Sequence, residues 1–148
     1  MLRALGEPRR AEIQKLHHSA ELTVLNVIWG PGMTLIPHDH RMWAVIGIYS
    51  GREDNVFWRR IRDERGGKIE AAGARTLADA DAIPLGRDII HSVTNPLSSH
   101  TGALHVYGGD FFGTPRSEWD LESLLERPSD SNRVLQLFED ANRGAAPR

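Results

Sequence analysis

Residues 32–51 read GMTLIPHDHRMWAVIGIYSG, and the seven at the centre, Pro37–Trp43 (PHDHRMW), decide how the rest is interpreted. Two histidines stand one residue apart with an acid between them, just after the turn-forming Trp29-Gly30-Pro31-Gly32. On a strand, successive side chains point to opposite faces, so His38 and His40 share a face and Asp39 lies on the other. Two imidazoles placed in this way reach one cation at about 2.0–2.2 Å. The stretch also fits a polar turn that happens to contain histidine. The choice falls to the surrounding sequence.

Outward from this stretch the chain reads as a series of short strands. LTVLNVIW (22–29) is rich in β-branched and aromatic residues and ends at Gly30-Pro31-Gly32. MTLIPHDH and MWAVIGIYSG follow, then DNVFWRRIRD, which stops at Gly66-Gly67. KIEAAGARTLA is read as containing a further turn; DAIPLG, RDIIHSVTNP and GALHVYGGDFF complete the series. Strands of this length at a spacing of about 8–12 residues predict an antiparallel sandwich or small barrel. Before them, PRRAEIQKL (8–16) is compatible with a short helix or an irregular lead-in. After Gly113 the pattern changes. Ser117 is placed to cap a helix reading EWDLESLLER, stopped by Pro128, and SNRVLQLFEDANR predicts a second, amphipathic helix. The organisation expected is one domain over 1–148, with a barrel over about 20–113 and a helical extension over about 117–143.

Composition excludes several classes. At 148 residues with 40% hydrophobic and 26% charged residues, the chain is an ordinary globular domain. Eighteen basic and twenty acidic residues give a net charge of −2, which is neither a nucleic-acid nor a membrane-surface footprint. No apolar run approaches the ~20 residues of a membrane span. The opening MLRALGEPRRAEIQK lacks an apolar h-region, so a cytoplasmic location is expected. There is no cysteine, so a metal must be held by imidazole, carboxylate or water. His91, on RDIIHSVTNP, is the natural third ligand because a barrel brings distant strands together. His105 and Tyr107 form another same-face pair, on ALHVYGG.

The spacing Gly32, five residues, His38-x-His40, three residues, Ala44, six residues, Gly51 resembles the first cupin motif. Pro84-x-Gly86, four residues, His91, three residues, Asn95 resembles the second, with a slightly longer turn. The resemblance implies a mainly β cupin double-stranded β-helix (jelly-roll) barrel, here with C-terminal α-helices. A glutamate usually stands where this chain has Ala44, so the implied metal site is reduced to His38, His40 and His91. Within the cupins this is similar to the cysteine dioxygenase-like thiol dioxygenases and their bacterial relatives, over about Leu22–Phe112. That likeness implies an Fe(II)-dependent oxidation of a small thiol, of cysteine or 3-mercaptopropionate type, to its sulfinate. O₂ is then the second substrate and a homodimer the common assembly. Zn(II) or Ni(II) chemistry and a non-catalytic metal- or ligand-binding role are the alternatives, since imidazole ligands alone do not select the metal.

The likeness also assigns roles. Tyr107 would hydrogen-bond the bound substrate or oxygen, and His105 would orient the phenol. The departures are equally specific. Ala103 replaces the serine of the family's Ser-x-His-x-Tyr strand, which removes a partner of His105. The family's carboxylate-binding arginine falls in LHHSAEL, where His17 or His18 stands instead. A neutral imidazole clamps a carboxylate less well than a bidentate guanidinium. His18 and Arg60 are therefore candidate substrate-binding residues, with Arg41 and Arg59 as further arginines. Met42 is placed in the pocket by alternation from His40, and Trp43 on the opposite face, packed against another layer.

Overall fold

In the computed structural model, which describes residues 2–144, Thr23–Trp29 (β2) is buried on both faces because it sits inside a five-stranded sheet. The partners of β2 are Glu12–His18 (β1) on one side and Thr101–Tyr107 (β9) on the other; Ala44–Ser50 (β4) and Ala82–Leu85 (β7) complete the sheet. The facing six-stranded sheet contains Thr34–Asp39 (β3), Arg52–Arg60 (β5), Ile69–Ala78 (β6), Ile90–Thr94 (β8), Ser117–Trp119 (β10) and Glu126–Pro128 (β11). Its order is β11-β10-β3-β8-β5-β6, against β1-β2-β9-β4-β7 in the first, and every pairing is antiparallel. A short helix, Leu2–Leu5 (α1), precedes the strands, and Ser131–Gly144 (α2) closes the described chain.

Alternation builds the core. Leu25, Val27 and Trp29 of β2, Ala44, Ile46 and Ile48 of β4, and Leu77 and Val93 from the other sheet form one apolar cluster. Each fully buried aliphatic side chain there contributes roughly 1.5–3 kcal/mol of transfer free energy. Val45, between Ala44 and Ile46, is 38% exposed, as the period of two requires. Helix α2 lays Val134, Leu137, Phe138 and Ala141 against this cluster. Asp130 caps it, its Oδ1 accepting from the backbone N–H of Asn132 at 2.9 Å. At its far end Asn142 exchanges two hydrogen bonds with the backbone of Ala11, at 2.8 and 2.9 Å. Gly30 lets the helix approach: a Cβ there would stand 3.0 Å from that of Ala141.

Three segments differ from the sequence reading. Within residues 8–16 the edge strand β1 begins at Glu12, since it gains a ladder along β2 from Glu12↔Ile28 to His18↔Thr23. The barrel thus starts before residue 20. KIEAAGARTLA contains no turn; β6 runs unbroken, and a bulge at Ala72, between the Phe57↔Gly73 and Trp58↔Ala71 pairs, takes up the extra residue. Residues 117–127 form no helix, so the C-terminal extension has one α-helix where two were expected. Ser117, Glu118 and Trp119 are three consecutive buried residues, which a strand between layers accommodates. The turn after them is closed by the Asp120 side chain, which accepts from the backbone N–H groups of Glu122 and Ser123. Trp119 packs with Ile69 and Ile90, and this burial overrides the segment's helix propensity.

Candidate metal centre

Strands β3 and β8 are neighbours, and His38 is directly opposite His91 in their register. His40 follows the last residue of β3, after which Arg41 turns the chain with φ +54°. The three histidines therefore converge, each offering a ring nitrogen within 4.8 Å of the others. Nε2 of His40 and Nε2 of His91 stand 3.2 Å apart. His91 is fully buried and His40 is 2% exposed. Asp39 points away and accepts from the Ser117 backbone N–H at 2.8 Å.

The outer nitrogens fix which atoms face inward. His38 Nδ1 lies 2.9 Å from the carbonyl oxygen of Ile36; a carbonyl only accepts, so Nδ1 carries the proton and Nε2 is bare. His91 Nδ1 lies 2.8 Å from Oδ1 of Asn55. The Asn55 amide donates to Glu53 Oε1 at 2.9 Å, and Trp29 Nε1 donates to Glu53 Oε2 at 3.0 Å. Both Glu53 oxygens are thus acceptors, which sets the Asn55 orientation, the His91 tautomer and a bare Nε2 on His91. Burial pushes the Glu53 carboxyl up, and the Asn55 and Trp29 donors work against that.

The donor set fits a divalent cation. Burial lowers the pKa of His38 to about 4 and depresses His40 and His91 strongly, so all three are neutral at pH 7. Ligand nitrogens ~2.1 Å from one ion and ~90–109° apart stand ~3.0–3.4 Å from each other, which is the His40–His91 separation. Among the described residues no carboxylate joins the three. Ala44 is buried and lies opposite Tyr107 in the sheet.

Tyr107 and His105 come from one face of β9, and the ring of Tyr107 is 5.1 Å from that of His40. His105 Nδ1 and Tyr107 Oη are 2.8 Å apart. Burial lowers the pKa of His105 to about 3 and raises that of the Tyr107 phenol, so both are neutral. His105 Nε2 is buried with no partner among the described residues, and Ala103, the next inward position, offers none.

His38, His91, His105 and Tyr107 line one cavity of about 170 Å³. Its remaining wall is largely apolar, from Leu25, Val27 and Trp29 on β2, Val93 on β8, and Val134 and Phe138 on α2. The substrate-binding candidates lie elsewhere. His18 is on the exposed end of β1, its Nε2 2.7 Å from Asp110 Oδ1. Arg60 pairs with Glu126 at 2.5 Å and covers Trp119. Arg59 pairs with Glu70, and Arg41 with Asp39. Met42 is buried in the core but does not line the cavity, because the left-handed Arg41 breaks the alternation that would have carried it there. Trp43 is 49% exposed and so is not packed between layers. The cavity's arginine is Arg116, with its guanidinium carbon 3.7 Å from the Phe111 ring centroid. Neither Arg116 nor the Asn55–Glu53 pair lies in a motif. The one signal for the pair was an acid and an amide two apart on an inward face of β5.

No known family profile matches the chain. Solved structures match it in fold. An RmlC-like cupin family protein with a double-stranded β-helix fold from Methanocaldococcus jannaschii superposes with a TM-score of 0.55 at 10% identity, over 71% of this chain and 84% of that one. Oxalate oxidase in complex with glycolate gives 0.53 at 16%, over 70% of this chain and 53% of that one. The cupin domain of Cnp3 from Schizosaccharomyces pombe gives 0.53 at 10%, over 66% and 60%. The chain therefore spans only about half of the oxalate oxidase it matches. At these identities the likeness is one of fold, and the fold is the cupin double-stranded β-helix. No helix in the described residues is long and apolar enough to cross a membrane.

Proposed function

We propose that the chain is an Fe(II)-dependent dioxygenase that converts a thiol to its sulfinate. The observation that supports the reading is a cluster of three neutral imidazoles with no carboxylate among them, two of which, His38 and His91, line one cavity with the Tyr107 phenol. His38, His40 and His91 would hold the ion. When bound, a ferrous ion would supply the redox chemistry by which O₂ oxidises a thiol. In the overall change, RS⁻ + O₂ gives RSO₂⁻: both oxygen atoms end on sulfur, which loses the four electrons that O₂ gains, and no external reductant enters.

The chain's own residues do the rest. Tyr107 donates its O–H to the oxygen on which negative charge develops, and its raised pKa keeps that proton in place. His105 is a positioning residue: its Nδ1–H donates to Tyr107 Oη, which leaves the phenol proton free to point into the cavity. Asn55 and Glu53 hold the His91 ring in the tautomer that presents Nε2. The apolar wall excludes water from the reacting groups.

The test is O₂ uptake by protein purified without O₂, loaded with Fe(II) and given a panel of thiols. Thiol-dependent uptake with two ¹⁸O atoms from ¹⁸O₂ in each sulfinate is expected. A folded, iron-loaded protein that consumes no O₂ with any thiol would remove the reading.

A further inference from the structure

Two buried side-chain polar atoms lack a hydrogen-bond partner among the described residues: Arg116 Nε and His105 Nε2. Both belong to residues lining the same cavity; Arg116 Nε–H is a donor that an anion can complete, whereas His105 Nε2, bare when Nδ1 donates to Tyr107, is an acceptor. Native folds seldom leave such atoms orphaned unless something else completes them. The cavity's charge points the same way. Its lining carboxylate, Glu118, is already engaged by Arg127 Nε at 2.9 Å and by Arg133. The Arg116 guanidinium is held over Phe111, and Asp39, the carboxylate that favours its charge, acts on it through space only. One unmatched cation therefore faces an apolar chamber.

Size sets the other half of the ligand. At about 170 Å³ the cavity is close to the ~150 Å³ of an apolar cavity that takes up benzene. Trp29 and Phe138, with ring centroids 5.4 Å apart and planes tilted by 32°, form an aromatic part of the wall, continued by Leu25, Val27 and Val134. An α-amino acid suits this chamber poorly. Its ammonium group would find no free carboxylate, and an unpaired charge against an apolar wall is costly.

We infer that the site takes a small organic carboxylate with no amino group, its carboxylate on Arg116 and an apolar body about the size of one phenyl ring between β2 and α2. Only the fate of a thiol on such a molecule rests on the oxygenase reading; the binding claim is separate. A guanidinium suits the task, since it presents two donors in the plane of a carboxylate.

The experiment is calorimetric titration of the Zn(II)-loaded protein, which cannot turn over, with 3-phenylpropionate, acetate, 3-phenylpropan-1-ol and phenylalanine. The expected Kd for 3-phenylpropionate is at least about tenfold below each of the other three, the range a pocket achieves through one apolar group or one charge pair. Arg116→Met should bring acid and alcohol within about twofold of each other while leaving the alcohol's Kd unchanged. Val134→Trp, which fills the chamber from α2, should weaken 3-phenylpropionate at least about tenfold and spare acetate. Acetate or phenylalanine binding as tightly as 3-phenylpropionate overturns the inference. So does an acid preference that survives Arg116→Met, and if that variant does not fold, Val134→Trp decides alone. The predicted ranking without thiol-dependent O₂ uptake leaves this inference standing and removes the oxygenase reading. Uptake fastest with cysteine and unmoved by Arg116→Met does the reverse.

Discussion

Nδ1 of His91 and Oδ1 of Asn55 stand 2.8 Å apart, at the head of a buried chain that continues through Glu53 to the indole of Trp29. Outer contacts of this kind fix a ligand's tautomer and orientation. Asn55→Leu keeps the volume but orphans the imidazole N–H and one Glu53 oxygen. Its expected effect is a loss of about 10–100-fold in metal affinity. Competition against a calibrated chelator measures it, and an unchanged affinity would show that the His91 ring is held by packing alone.

Tyr107 separates binding from chemistry. Tyr107→Phe removes the hydroxyl 2.8 Å from His105 Nδ1 and leaves the three imidazoles in place. Metal content should be unchanged, and kcat should fall about 10²–10³-fold, the usual cost of losing one donor to a developing oxyanion. Steady-state kinetics beside metal analysis reads both; a fall in metal content would make Tyr107 a structural residue.

Acid should unfold the metal-free protein earlier than its carboxylates alone would. The pKa of His105 is depressed to about 3 in the fold, against 6.5 in an unfolded chain. Between those values the unfolded state binds the extra proton, so stability is complete above pH 6.5 and declines as pH falls toward 3. His40 and His91 are depressed in the same direction and steepen the decline. Denaturant midpoints measured from pH 7.5 to 4.5 should fall steadily, by up to about 1.4 kcal/mol per pH unit per histidine. In His105→Leu, part of that slope should vanish.

The hairpin of residues 117–128 has its own test. Trp119 is fully buried against Ile69 and Ile90, and its Nε1 donates to the Gly67 carbonyl at 2.9 Å. Trp119→Ala should cost about 3–5 kcal/mol. A helix over the same residues, with Trp119 on its surface, would lose under about 1 kcal/mol. Chemical denaturation distinguishes them.

What the sequence revealed and what it hid have physical reasons. His38, Asp39 and His40 were legible because alternation is a local property of one strand. His91 was legible because its turn carries Pro84 and Gly86 at the right spacing. Met42 was misplaced by the same rule: Arg41 leaves the strand in a left-handed conformation, which spacing does not announce. The hairpin at Trp119 was hidden because its burial depends on Ile69 and Ile90, far away in the chain. Arg116 was hidden for a related reason, since the chain reaches the cavity only after the β9 exit through Phe111 and Phe112. Long-range packing placed each of these, and no local pattern encodes it.

On this reading His38, His40 and His91, three of the seven histidines, would hold one divalent metal ion. Metal stoichiometry under argon decides it, on the natural sequence and on single alanine variants of His38, His40, His91, His17 and His100. The prediction is one Fe(II) per chain for the natural sequence and for the His17 and His100 variants, and close to none for the other three. A natural sequence that retains no metal, or a His91→Ala variant that retains all of it, would contradict the claim.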